Sequence, residues 1–377
     1  MINYRNKPFL HLFTFALLLS SITTACQTSA ATPSVRVSSA PRTENTNPTP
    51  ALILSLTASQ TIAPPTETIT PRLDPSPTIE PSTTPSGQVI LMAVGDVMLG
   101  RTIGDMIEAQ GHEAPFQFTA DTLRSADVTV GNLESPISAR GTPEEKTYAF
   151  RAPLAAAKSL GYGGFNLVNL ANNHILDYGP LALADTLDSL AAQGIDSVGA
   201  GMNAWEAHAP VMIEVNGLRL AFLGYLDIPP ATYDYRSWEA GLNQPGVAWA
   251  HEEHVQQGVT AAKAQADIVI IFVHNGYELV QQVASQQQKI AHLAIDSGAS
   301  LVIGSHPHIL QRVERYQDGL IAYSMGNFVF DNFLFPPNYS AILVVELSQE
   351  GVVNYDLIDV IVQLNGVPKI SPYSLED

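Results

Sequence analysis

Leu301-Val302-Ile303-Gly304-Ser305-His306-Pro307-His308 is an apolar run that ends in two imidazoles. A short run of Leu, Val and Ile reads as a buried strand. Four other stretches repeat the pattern. Val89-Ile90-Leu91-Met92-Ala93-Val94 runs into Gly95-Asp96, and Val128-Thr129-Val130 into Gly131-Asn132-Leu133-Glu134. Leu167-Val168-Asn169-Leu170 runs into Ala171-Asn172-Asn173-His174, and Ile268-Val269-Ile270-Ile271-Phe272-Val273 into His274. In open α/β sheets, ligands bind beyond the carboxyl ends of the strands. The pattern therefore predicts Asp96, Glu134, Asn173, His174, His274, His306 and His308 together at one edge of one sheet. His306 and His308 are two apart, a spacing that aims both at one face of a regular strand.

Between these strands the helix signals alternate. Helices are expected near 102–110, 120–126, 154–160, 180–193, 251–266 and 286–297. The segment 180–193 has Pro at its start and Gly194 after its end. Asn216-Gly217 sits between Val211–Val215 and Leu218–Leu223, which predicts a two-residue hairpin. The chain turns β-rich at 320–323, 341–346 and 352–361. Alternating signals of this kind predict one large α/β domain over 88–377.

The 87 residues before it read differently. Arg5 and Lys7 precede an apolar run from Phe9 to Ile22, as in an export signal, and the run is too short for a confident membrane span. Residues 1–26 end in Thr23-Thr24-Ala25-Cys26, which resembles a bacterial lipoprotein cleavage site. Cys26 is the single cysteine of the chain. Its lipidation, leaving an exported protein anchored on the outer face of the cell membrane, is the expected fate. Plain secretion and an uncleaved anchor are the alternatives. Residues 27–87 are dominated by Thr, Pro, Ser and Ala, a composition that buries no core and favours an extended spacer. The run Ala51–Leu56 is an apolar exception to it.

Net charge is −18, and residues 1–87 carry about +1 of it, so the domain carries about −19. That sign argues against a nucleic-acid partner. It also requires local positive charge wherever an anionic substrate binds, and a bound metal supplies it. Carboxylate, amide and imidazole donors together suit a divalent transition metal, Mn, Zn or Fe, rather than Ca or Mg.

In order, the short pieces resemble the CapA family of capsule-biosynthesis proteins, linked to poly-γ-glutamate. The resemblance runs from Met92-Ala93-Val94-Gly95-Asp96 to Met325-Gly326-Asn327-Phe328, with Gly131-Asn132-Leu133-Glu134, Asn172-Asn173-His174, Asp177-Tyr178-Gly179 and Gly304-Ser305-His306-Pro307-His308 between. It implies the fold of calcineurin-like metallophosphatases: a four-layer αββα sandwich with metal at the sheet edge. It also implies roles. Asp96, Glu134, Asn173, His274, His306 and His308 become metal ligands for one or two ions. His174 becomes the acid that protonates a leaving oxygen, and Asp177 its orienting carboxylate. Glu278 matches the family's downstream acid and is a candidate substrate contact. Arg101 either binds an anion or pairs with a carboxylate, and Asn327 either lines the site or holds a turn. The implied partners are an anionic envelope polymer or its phosphorylated precursor, and a capsule-synthesis or export complex in the membrane.

Three positions depart from the metallophosphatase pattern. Val97-Met98 follows Asp96 where x-His is usual, Glu134 replaces an Asp, and Asn275 stands where the family often has Trp. Two functions follow: a metal-dependent hydrolase, or a non-catalytic subunit that holds an anionic polymer. His251 and His254 lack zincin spacing and read as helix surface.

Overall fold

The computed structural model describes residues 87–331 and 338–372. The expected signal with Cys26, and the spacer up to residue 86, lie outside the described residues. Among the described residues, no helix is long and apolar enough to cross a membrane.

Strand β1 (Gln88–Val97) leads to helices α1 (Arg101–Gln110) and α2 (Ala120–Leu123) and to β2 (Val128–Leu133). Next come α3 (Ala156–Gly163), β3 (Leu167–Asn169), α4 (Gly179–Ala191) and β4 (Asp196–Val198). The short β5 (Ala200–Gly201) and α5 (Ala204–His208) precede β6 (Val211–Val215) and β7 (Leu218–Asp227). Then follow β8 (Gly246–Val247), α6 (Glu252–Lys263), β9 (Ile268–Asn275), α7 (Ser285–Asp296) and β10 (Leu301–Ser305). The last strands are β11 (Val313–Tyr316), β12 (Gly319–Ala322), β13 (Asn327–Val329), β14 (Tyr339–Ser348), β15 (Gly351–Val362) and β16 (Pro368–Ile370).

The strands form two large sheets. The first runs β16-β15-β14-β1-β2-β3-β4, with β13 alongside the end of β1. The second runs β11-β12-β10-β9-β7-β6. In each, the central strands are parallel, β1 to β4 in one and β7, β9, β10 and β12 in the other. The expected hairpin is present: Val215 pairs with Leu218, and Asn216 and Gly217 both take positive φ.

Alternation along the strands makes the layers. Leu91 and Ala93 of β1 share one apolar core with Leu220, Phe222, Ile270 and Ile303 of the second sheet. Their neighbours Met92 and Val94 face the opposite way, onto Ile103 of α1, Leu160 of α3 and Leu183 of α4. Ala221, Leu223, Val269 and Ile271 face outward onto Val255 and Val259 of α6 and Ile290 and Ala294 of α7. Two sheets packed face to face, each covered by helices, are the expected four-layer αββα sandwich. Stripping one such side chain, as in Leu220→Ala, costs about 2–5 kcal/mol.

One expectation changes. The ligand-bearing strands do not share a sheet: β1, β2 and β3 belong to the first, β9 and β10 to the second. Asn173, past the end of β3, meets His274, near the end of β9, at 2.8 Å, so two carboxyl edges adjoin where one was expected.

Candidate metal centre

The backbone at the strand ends is shaped to gather side chains. A bulge in β1 places one extra residue between Ala93 and Asp96, relative to Val130 and Asn132 of β2. Bulges near sites re-aim a side chain, here that of Asp96. Gly95 is required beside it, because a Cβ there would meet the Gly326 carbonyl oxygen at 1.9 Å. His306 and His308 lie past the end of β10, and both have positive φ, 96° and 59°. A strained turn around Pro307 past the strand end, not a pleat, turns the two rings inward. Such strain persists only where surrounding structure holds it, and it clusters at functional sites.

Asp96, Glu134 and His274 are fully buried, and Asn173, His306 and His308 nearly so. His274 Nε2 lies 2.8 Å from Asn173 Oδ1, and its Nδ1 2.8 Å from Ser305 Oγ. His308 Nδ1 is 3.2 Å from Asp96 Oδ2 and its Nε2 3.7 Å from Glu134 Oε1. Asp96, Glu134 and His274 bring one ligand atom each within 4.8 Å of one another, and so do Glu278, His306 and His308. All six expected ligands therefore lie in one buried cluster. Glu278, expected as a substrate contact, adds a carboxylate beside the two histidines. Its loop is tied to theirs by Leu279 N–H donating to the Pro307 carbonyl.

The donor set fits a cation. Glu134 Oε1 and His306 Nδ1 are buried without a hydrogen-bond partner, a costly condition for polar atoms. Burial, then the charge of Asp96, holds Glu134 well above the usual carboxylate value. Burial also pushes Asp96 up, but the hydrogen bond and charge of His308 outweigh it and bring Asp96 down. Burial drops His306 to about 3 and His274 well below the ordinary imidazole value. Neutral imidazoles keep their lone pairs for a metal. The residues present therefore fit a divalent ion.

His174 stands at the edge of this set. Its Nδ1 is 2.7 Å from Asp177 Oδ2, and its Nε2 is 3.8 Å from Glu134 Oε1. Phe150 stacks on the ring at 4.1 Å. Burial drops its pKa to about 4, against the charge of Asp177.

Two candidate substrate contacts are occupied differently. Arg101 pairs with Asp331 at 3.1 Å, the carboxylate alternative. Asn327 is buried, and its Oδ1 lies 2.9 Å from His308 Nδ1, so it orients a ligand rather than meeting solvent. His251 and His254 are not simple helix surface either. They form a half-buried group with Glu239, and His251 Nε2 is 2.8 Å from its carboxylate. Arg236 reaches into the group, 3.4 Å from His251 Nε2, and already supplies the positive charge.

Sequence reasoning passed over three residues. Asn132 donates to Asp96 Oδ1 at 2.8 Å and accepts from Asn169 Nδ2 at 2.9 Å, knitting the first sheet's edge. Its signal was available, two residues before Glu134 on one strand face. Asn172 Oδ1 accepts from the N–H groups of His174 and Ile175, which forms the turn that presents His174. Lys146, on a loop without periodicity, gave no signal.

Sandwich and site together define a four-layer α/β protein with a buried candidate metal centre. Residues 90–332 match the family described as bacterial capsule synthesis protein PGA_cap, and the chain belongs to that family. The PGA biosynthesis protein CapA of Bacillus subtilis (strain 168) is 33% identical over 267 residues, 70% of this chain and 69% of that one. The capsule biosynthesis protein CapA of Bacillus anthracis is 31% identical over 290 residues, 75% of this chain and 69% of that one. A probable polyglutamine synthesis accessory protein of Mycobacterium tuberculosis is 32% identical over 216 residues, 55% and 56% of the two chains.

Proposed function

We propose that this chain serves capsule or poly-γ-glutamate synthesis as an exported, lipid-anchored hydrolase of phosphoester or envelope-polymer bonds, dependent on a divalent transition metal. The names of its relatives support the polymer. The observation that carries hydrolysis is His174, oriented by Asp177 through Nδ1 with Nε2 turned to the ligand set.

Asp96, Glu134, Asn173, His274, His306 and His308 would hold one or two ions, Mn, Zn or Fe. Bound there, the metal supplies positive charge to an anionic substrate and polarises its reacting bond. The protein's own groups do the rest. Asp177 accepts from His174 Nδ1 and fixes the tautomer. With no substrate, burial keeps the ring neutral. A negative group arriving opposite Nε2 favours a ring that has taken a proton from solvent. As water attacks the substrate and the bond to the leaving oxygen breaks, Nε2 gives that proton to the leaving oxygen and the ring returns to its neutral form. Phe150, stacked on the ring face, helps hold its plane.

A second reading has its own support. Met98 is buried where metallophosphatases carry a histidine, which leaves fewer donors for a second ion and suits a subunit that holds polymer carboxylates without cleaving. Metal analysis coupled to hydrolysis of bis(p-nitrophenyl) phosphate separates the two. Metal-dependent turnover abolished in His174→Ala supports the hydrolase. Bound metal with polymer retention and no turnover supports the binding subunit.

A further inference from the structure

Lys146 is a buried cation outside the donor set. Its side chain is 3% exposed, and Nζ lies 2.5 Å from Asp177 Oδ1 and 2.5 Å from the Asn173 carbonyl oxygen. The rings of Tyr235 and Trp238 stand 4.8 and 5.0 Å from it, and that of Tyr233 5.9 Å. A buried ammonium is tolerated where it is paired and hydrogen-bonded, and facing aromatic rings add attraction.

Two partners of Lys146 are the groups that set His174, and Nζ also lies 3.4 Å from His174 Nδ1 itself. Asp177 Oδ2 already accepts from Phe150 N–H at 2.6 Å and lies 2.7 Å from His174 Nδ1. Lys146 pairs with the other oxygen, so both ends of the carboxylate are engaged. The Asn173 carbonyl, the second partner, belongs to the turn that carries both the Asn173 amide and His174.

We propose that Lys146 is the positioning residue for His174: by clamping Asp177 and the Asn173 carbonyl, it keeps Nδ1–H on Asp177 and Nε2 facing the ligand set. The role in turnover rests on His174 acting as the proton donor; the tautomer does not. Partners of this kind fix ring orientation and are felt strongly when removed. Lys146 stands on the Nδ1 side of the ring, away from Nε2. Its short contacts are to Asp177 and the Asn173 carbonyl, and the longer one to Nδ1 is the direct route that the double variant below tests.

The test uses the full chain, metal-free, with ¹⁵N-labelled histidine. Long-range ¹H–¹⁵N spectra read the His174 tautomer, assigned by its loss in His174→Gln. The wild type is expected in the Nδ1–H form and Lys146→Met in a mixture, with Lys146→Arg restoring most of the wild-type pattern. With Mn²⁺ and bis(p-nitrophenyl) phosphate, Lys146→Met is expected to lower kcat about a hundredfold with KM unchanged. An unchanged tautomer in Lys146→Met overturns the proposal whatever the activity does. A changed tautomer in a protein whose wild type shows no hydrolysis upholds the positioning and refutes the hydrolase reading. Should Lys146→Met not fold, Lys146→Met/Asp177→Asn removes both charges. Its spectrum should match that of Asp177→Asn alone, and a further change would overturn the route through Asp177.

Discussion

His274 Nε2 and Asn173 Oδ1 stand 2.8 Å apart, although 101 residues separate them and their strands belong to different sheets. An imidazole nitrogen and an amide oxygen at that separation are paired by a proton in the metal-free protein. The same two atoms are candidate donors for an ion. The contact closes the gap between the sheets at the site, so an ion bound there would be coupled to sheet-to-sheet packing.

Removing single donors should remove metal. Asp96→Ala, Asn173→Ala, His306→Ala and His308→Ala are each expected to lose bound transition metal by elemental analysis, while His251→Ala keeps it. Chelation should lower the melting temperature of the wild type, because an ion at a hundredfold its Kd stabilises the native state by about 2.7 kcal/mol. Full metal content in both Asp96→Ala and His306→Ala would refute the common site.

His174→Ala should separate chemistry from binding. The ring is not in the proposed donor set, so metal content should stay near wild type. Turnover of a phosphodiester should fall on the order of 10²–10⁴. Loss of metal in step with loss of turnover would make His174 a ligand instead.

His208 predicts a pH dependence of stability. Burial, then the neighbouring His254, lowers its pKa to about 4 from 6.5, with Glu239 opposing and His251 adding. Between those values the unfolded chain binds a proton here that the folded chain does not. The contribution is full above pH 6.5 and is lost as pH falls to about 4. Urea unfolding across that window should show a shallower acid limb in His208→Gln. Identical limbs in the two proteins would exclude His208 as the source.

The anchor reading rests on Cys26. Cys26→Ser should move the protein from the membrane fraction to a soluble or unprocessed form. Unchanged membrane partition with normal processing would rule out lipidation at this residue.

Strands and hairpin were legible because their signals are local. Continuous apolar runs mark β1, β9 and β10, and Asn216-Gly217 dictates its own turn. The donors were legible because each follows directly on an apolar run. Glu278 and Asn327 were found but assigned differently, since what a loop residue touches depends on which loop lies beside it. Lys146 was invisible, because it sits on a non-periodic loop and meets Asp177 and three aromatic rings from other segments.

Short-range periodicity and turn chemistry were enough to lay out the strands and helices and the candidate donors in their order along the chain. That two sheets supply those candidates, that His306 and His308 turn inward through positive φ, and that Lys146 completes the surroundings of His174 came only with the packed fold. Periodicity fixes which face a residue takes within its own element. Which faces then meet is settled by packing two sheets around a shared core, and that packing joins residues a hundred positions apart.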